Sequence, residues 1–69
     1  MGAAPKYPRP EDEWVVRGAR IRIEKPGFAV HDRTGVVLAR TNYTARVRFD
    51  GTNDEEVLGL GVLRPESVW

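Results

Sequence analysis

Residues 17–40 read RGARIRIEKPGFAVHDRTGVVLAR, and this stretch decides the fold. In Arg20-Ile21-Arg22-Ile23-Glu24, apolar and charged residues alternate one for one. In an extended chain successive side chains point to opposite faces. Ile21 and Ile23 therefore share one face, and Arg20, Arg22 and Glu24 the other. Pro26-Gly27 breaks the run. Gly35 then opens Val36-Val37-Leu38-Ala39, rich in the β-branched residues that suit a pleated surface. The stretch predicts a strand over about 19–24, a loop over 25–34 and a strand over about 35–40. Long surface loops commonly carry binding. Phe28 and Val30 are expected to turn inward here, leaving Lys25, His31, Asp32 and Arg33 outside.

Downstream, Thr41-Asn42-Tyr43 reads as a short turn. Thr44-Ala45-Arg46-Val47-Arg48-Phe49 reads as a third strand, with Ala45, Val47 and Phe49 inward and Arg46 and Arg48 outward. Asp50-Gly51-Thr52-Asn53-Asp54 is a tight polar turn, since Asp-Gly accepts the backbone angles a hairpin needs. A fourth strand follows at about 55–60, with Leu58 and Leu60 on the face opposite Val57, and Gly59 and Gly61 mark a bend. Leu63-Arg64-Pro65-Glu66-Ser67 reads as one helical turn with proline early in it, leaving Val68-Trp69 as a short last strand. Upstream, Pro5, Pro8 and Pro10 followed by Glu11-Asp12-Glu13 predict an extended, flexible arm over 1–13, with Tyr7 as a candidate anchor. The folded unit is expected over 14–69, with Trp14 packed against it or capping its open end, and with Trp69 either closing its core, the favoured reading in so small a barrel, or standing out as an interface anchor.

Composition narrows the function classes. A 69-residue chain forms one domain with a thin core. It has no cysteine, so disulfides and thiolate zinc sites are excluded, and its single histidine excludes a multi-histidine metal site. No apolar run approaches the roughly 18 residues of a membrane span. The opening Met1-Gly-Ala-Ala-Pro-Lys-Tyr-Pro carries no apolar leader core, so a cytoplasmic protein is expected, and Asn42-Tyr43-Thr44 is then a coincidental glycosylation pattern. Net charge is +1, but residues 17–48 hold eight basic against two acidic residues and residues 49–69 one basic against five acidic. A polarised surface is the expectation.

Five short strands, one long loop, two short turns and a helical turn before the last strand make an all-β chain. The pattern is that of a small five-stranded SH3-like barrel, in which closing the sheet hides most strand edges. An OB-type barrel carries a helix between its third and fourth strands, for which this chain has no room. The residues Gly18, Ile21, Ile23, Pro26-Gly27-Phe28-Ala29, Asp32, Gly35 and Val37 resemble the KOW pattern of transcription elongation factors and some ribosomal proteins. Residues 45–49 and 63–68 fit the later strands of that pattern, and the order here is Pro-Gly-Phe rather than Gly-Pro-Phe. The chain is also similar to the small SH3-like accessory subunits of photosynthetic electron-transfer complexes, through its opening strand and its Leu-x-Pro ending. The resemblance implies the fold more than any role, because this barrel hosts many unrelated functions.

The candidate chemistry is binding. Arg20 and Arg22 on the first strand, with Arg46 and Arg48 on the third, form a basic constellation, with Lys25, Arg33 and Arg40 near strand ends. A guanidinium fork matches phosphate oxygens, and Phe28 or Tyr43 offers a ring on which a base can stack. The same arginines equally suit the solvated outside of a small barrel. His31-Asp32 lacks a nucleophile at defined spacing, so no catalytic residue and no enzyme is expected. Asp50, Asp54, Glu55 and Glu56 lack calcium-loop spacing, and no cofactor or metal is expected. A barrel this small has little room for a small-molecule pocket. The expected role is a non-catalytic module docking on a larger protein assembly, through Arg20, Arg22, Lys25, Phe28, Arg33, Tyr43, Arg46 and Arg48. The alternative is a KOW-type module that contacts RNA or DNA phosphates through the strand arginines.

Overall fold

The computed structural model describes residues 9–66. They form five strands: β1 Arg20–Ile23, β2 Thr34–Arg40, β3 Thr44–Phe49, β4 Glu55–Gly59 and β5 Leu63–Pro65, with 3-10 turns at Pro10–Asp12 and Leu60–Val62. All the strands belong to one antiparallel sheet in the order β4-β3-β2-β1-β5. The chain is all-β, as its alternating pattern requires.

Alternation becomes packing directly. Ile21 and Ile23 of β1, and Ala45, Val47 and Phe49 of β3, are buried, whereas Arg20, Arg46 and Arg48 are exposed. Leu58 of β4 and Leu63 of β5 join the same apolar cluster although their strands lie at opposite edges of the sheet. In a flat sheet with strands about 4.8 Å apart those edges would be roughly 19 Å apart, so the sheet is curled around its core. A register shift between Val37 and Ala39 inserts Leu38 as an extra residue in β2. Such a bulge bends and twists its strand. It also turns Arg40 to the inner side opposite Ala45, where its Nη1 donates to the carbonyls of Asp12 (2.7 Å) and Val15 (3.0 Å).

Several expectations are revised. Residues 1–8, including Tyr7, lie outside the described residues, as do Val68 and Trp69. Within the expected arm, residues 9–13 are folded down: Asp12 is only 4 % exposed and takes Nε and Nη2 of Arg9 at 2.7 and 3.1 Å. Val15 is fully buried and Trp14 packs half-buried against the core. The helical turn falls at Leu60–Val62 rather than 63–67, and Leu63–Pro65 is strand. A 3-10 turn of about three residues returns Leu60 and Leu63 to the same side, and both are buried. Pro65 is tolerated because, among the described residues, β5 pairs only with β1 and ends there.

Phe28 does not tuck inward; it is 59 % exposed, while Val30 packs half-buried against the core. The cause is the turn Lys25-Pro26-Gly27-Phe28, closed by the Phe28 amide on the Lys25 carbonyl at 3.2 Å. Gly27 has φ +87°, the angle that the third position of a type II turn demands. The chain reverses before it reaches Phe28 and presents the ring outward.

Candidate binding surface

The outer face of the sheet carries the strand arginines in register. Arg20 of β1 lies opposite Val36 of β2, which lies opposite Arg48 of β3, which lies opposite Glu55 of β4. Arg22 lies opposite Thr34 on one side and Arg64 on the other. Arg46 lies between Ala39 and Val57. The four arginines expected on one surface are therefore brought to one face.

Most of them are already engaged. Arg20 grips Asp50 with both terminal nitrogens, Nη1 to Oδ1 at 2.8 Å and Nη2 to Oδ2, and holds Glu66 through Nε and Nη2 at 2.9 Å each. The Thr34 hydroxyl donates to Asp50 Oδ2 at 2.7 Å. Hydrogen bonds from Arg20 first, and then from Thr34, hold the Asp50 carboxyl down at about 2. Arg20 also lowers the pKa of Glu66, and the two carboxylates together raise that of Arg20. Arg22 pairs with Asp32 at 2.8 Å and Arg64 with Glu24 at 2.7 Å, while Arg46 reaches Glu55 only at 3.9 Å. Among the described residues Arg48 has no carboxylate partner. The acidic end of the sequence thus folds in among the arginines of the basic half, and the polarised charge of the sequence becomes an interleaved one.

The 24–33 loop is built differently. His31 N–H donates to the Phe28 carbonyl at 3.0 Å, Arg33 N–H to Val30 at 3.1 Å, and Asp32 N–H to Ile23 at 2.8 Å. The Lys25 amide donates to His31 Nδ1 at 3.0 Å, so the imidazole serves as an internal brace. The other ring nitrogen, Nε2, lies 3.5 Å from Asp32 Oδ2. Asp32 adopts φ +66°, a conformation that aspartate tolerates better than most side chains. This ladder of bonds displays Phe28 with Lys25 Nζ 4.2 Å from its ring centroid. Arg33 instead lies over the ring of buried Phe49, at 4.0 Å, and covers the core.

Tyr43, 60 % exposed, sits in the β2–β3 turn, at the other end of β2 from Lys25 and Phe28. Beside that turn a shallow groove of about 260 Å³ runs over the outer face, lined by Ala39, Arg40, Thr41, Thr44, Arg46 and Val57. The expected binding residues therefore fall into three places: Lys25 and Phe28 in the loop, Arg20, Arg22 and Arg48 on the outer face, where the first two are ion-paired, and Tyr43 and Arg46 by the groove. Arg33 belongs to the core's cover. Sequence reasoning missed the clasp on Arg20, because Asp50 and Glu66 lie 30 and 46 residues away along the chain. Among the described residues no three His, Asp or Glu side chains gather as a metal site, and no helix is long and apolar enough to cross a membrane. No protein-family model matches this sequence, and no curated protein matches it either.

Proposed function

We propose that this chain is a non-catalytic binding module, a small cytoplasmic subunit or adaptor that docks onto a larger protein assembly through the 24–33 loop. One contrast supports the reading best. Phe28 is exposed on a loop cross-braced by its own hydrogen bonds, whereas Arg20 and Arg22 are taken up by carboxylates of the same chain. An exposed aromatic residue on a preorganised loop loses little entropy on docking and is the usual kind of interface anchor. An arginine that must first release Asp50 and Glu66 is a poor phosphate ligand. A cysteine-free composition agrees with a reducing compartment. The strand order and the 3-10 turn before β5 support an SH3-like barrel.

The second reading, a KOW-type module on RNA or DNA, is favoured by Arg48, which has no carboxylate partner among the described residues and stands on the same face as Arg46.

The two separate in one pull-down from native extract, run with and without nuclease on wild type, Phe28→Ala and Arg46→Glu/Arg48→Glu. Docking through the loop predicts a partner that survives nuclease, is recovered with the double variant and falls at least tenfold with Phe28→Ala. Loss on nuclease treatment and with the double variant, alongside affinity for oligonucleotides that drops steeply with salt, transfers the conclusion to nucleic acid.

A further inference from the structure

β4 is an open edge. Among the described residues it pairs only with β3. Hydrogen bonds at both ends of that ladder fix its phase: Leu60 N–H donates to the Tyr43 carbonyl and Phe49 N–H to the Asp54 carbonyl, each at 3.0 Å. Bonded pairs alternate along an antiparallel ladder, so Ala45–Leu58 and Val47–Glu56 are the bonded pairs between them. The N–H and C=O groups of Glu55, Val57 and Gly59 therefore point away from β3. The opposite edge, β5, is three residues long and ends in Pro65, which has no donor. β4 is five residues long and contains neither proline nor lysine, the residues that commonly blunt an edge.

From this geometry we infer that β4 accepts an extended, lysine- or arginine-rich segment of a partner protein as a sixth strand. Charge selects the occupant. Asp54, Glu55 and Glu56 are all exposed, and neither Asp54 nor Glu56 has an ion-pair partner among the described residues. The Arg46–Glu55 contact is loose at 3.9 Å, which leaves Glu55 able to meet a second cation. Two hollows lie side by side along the strand. The groove over Thr44, Ala39 and Val57 is mostly apolar, and a second, of about 220 Å³, is lined by Arg46, Glu55, Glu56 and Val57. An incoming strand that alternates lysine with apolar residues sets its lysines on the face of Glu55 and Val57, one ammonium beside Glu55 and the aliphatic stem of the next over Val57, 57 % exposed. A second copy of this chain would bring another Asp-Glu-Glu triplet and no cation on its strand, so like charges oppose self-pairing.

The test uses the full ¹⁵N-labelled chain and the peptide acetyl-Lys-Val-Lys-Val-Lys-amide. The expected result is movement of the Glu55, Val57 and Gly59 amide signals, with hydrogen exchange at these amides slowed at least tenfold. Glu55→Lys/Glu56→Lys, in a variant whose remaining spectrum is unchanged, should weaken binding at least tenfold. So should N-methylation of alternate peptide amides, which removes main-chain donors and keeps the charge. Phe28→Ala should leave this binding intact, which separates it from docking by the 24–33 loop. The inference is overturned by equal binding of the methylated peptide or of acetyl-Glu-Val-Glu-Val-Glu-amide, or by no binding at millimolar peptide. It is also overturned by β4 protection in the free protein, whether that protection grows with concentration (self-pairing) or vanishes on deleting residues 1–8 (the chain's own terminus).

Discussion

At the scale of single residues, Gly35 shows how tightly the strands are laid together. A methyl group added there would sit 2.9 Å from Val47 Cγ1 and 3.1 Å from the Arg48 carbonyl carbon, and would press on the Arg48 carbonyl oxygen. Backbone cannot yield as a flexible side chain does, so Gly35→Ala is expected to cost about 1–3 kcal/mol, read as a lowered thermal midpoint. Asp50 carries a second expectation. Its carboxyl titrates at about 2 in the folded protein, below its ordinary 3.8, and Glu66 is displaced in the same direction. A depressed carboxyl adds stability that is whole above its ordinary pKa and disappears as pH falls through the folded value. Thermal midpoints should therefore fall between pH 4 and 2, and Asp50→Asn should flatten that fall. Because the clasp is exposed, high salt should shrink the difference between the two proteins. A wild-type curve that does not respond to pH in this window would mean that the clasp is not formed in solution.

Among the elements, β2 is where local pattern and structure part. Val36-Val37-Leu38-Ala39 reads as an unbroken strand, and it is one, but the extra residue at Leu38 sends Arg40 to the inner side. There it fastens the segment before β1 by donating to the carbonyls of Asp12 and Val15. Arg40→Ala leaves two half-buried carbonyls without that donor and is expected to cost about 1–3 kcal/mol. Its signature should be local: amide exchange at Val15 should quicken well before that of Val47, and the Trp14 indole signal should shift. Equal quickening at both sites would mean that the segment and the sheet open as one unit.

For the whole molecule, the core is small and shared by every strand. Stability of roughly 0.05–0.15 kcal/mol per residue gives a protein of this length about 3–10 kcal/mol in all. Ile23 is fully buried between the pairings of β1, and Ile23→Ala is expected to cost about 2–5 kcal/mol, a large part of that total. A denaturant titration should show the midpoint falling sharply with the slope unchanged, or the variant already largely unfolded in water.

What the chain determines alone is whatever depends on neighbours in sequence. Strict alternation in β1 and β3 names the inward residues Ile21, Ile23, Ala45, Val47 and Phe49, and all are buried. Turn chemistry at Pro26-Gly27 and at Asp50-Gly51 places the breaks between strands, because these residues fix or permit particular backbone angles. The tertiary structure decided what depends on residues far apart. It matched Arg20 with Asp50 and Glu66, turned Arg40 inward at a bulge, faced Phe28 outward and, among the described residues, left β4 open. Ion pairing, bulge position and edge exposure are set by which strands meet and in what register. Register is fixed by packing the curled sheet on its core, a distance-dependent property that no short run of sequence contains.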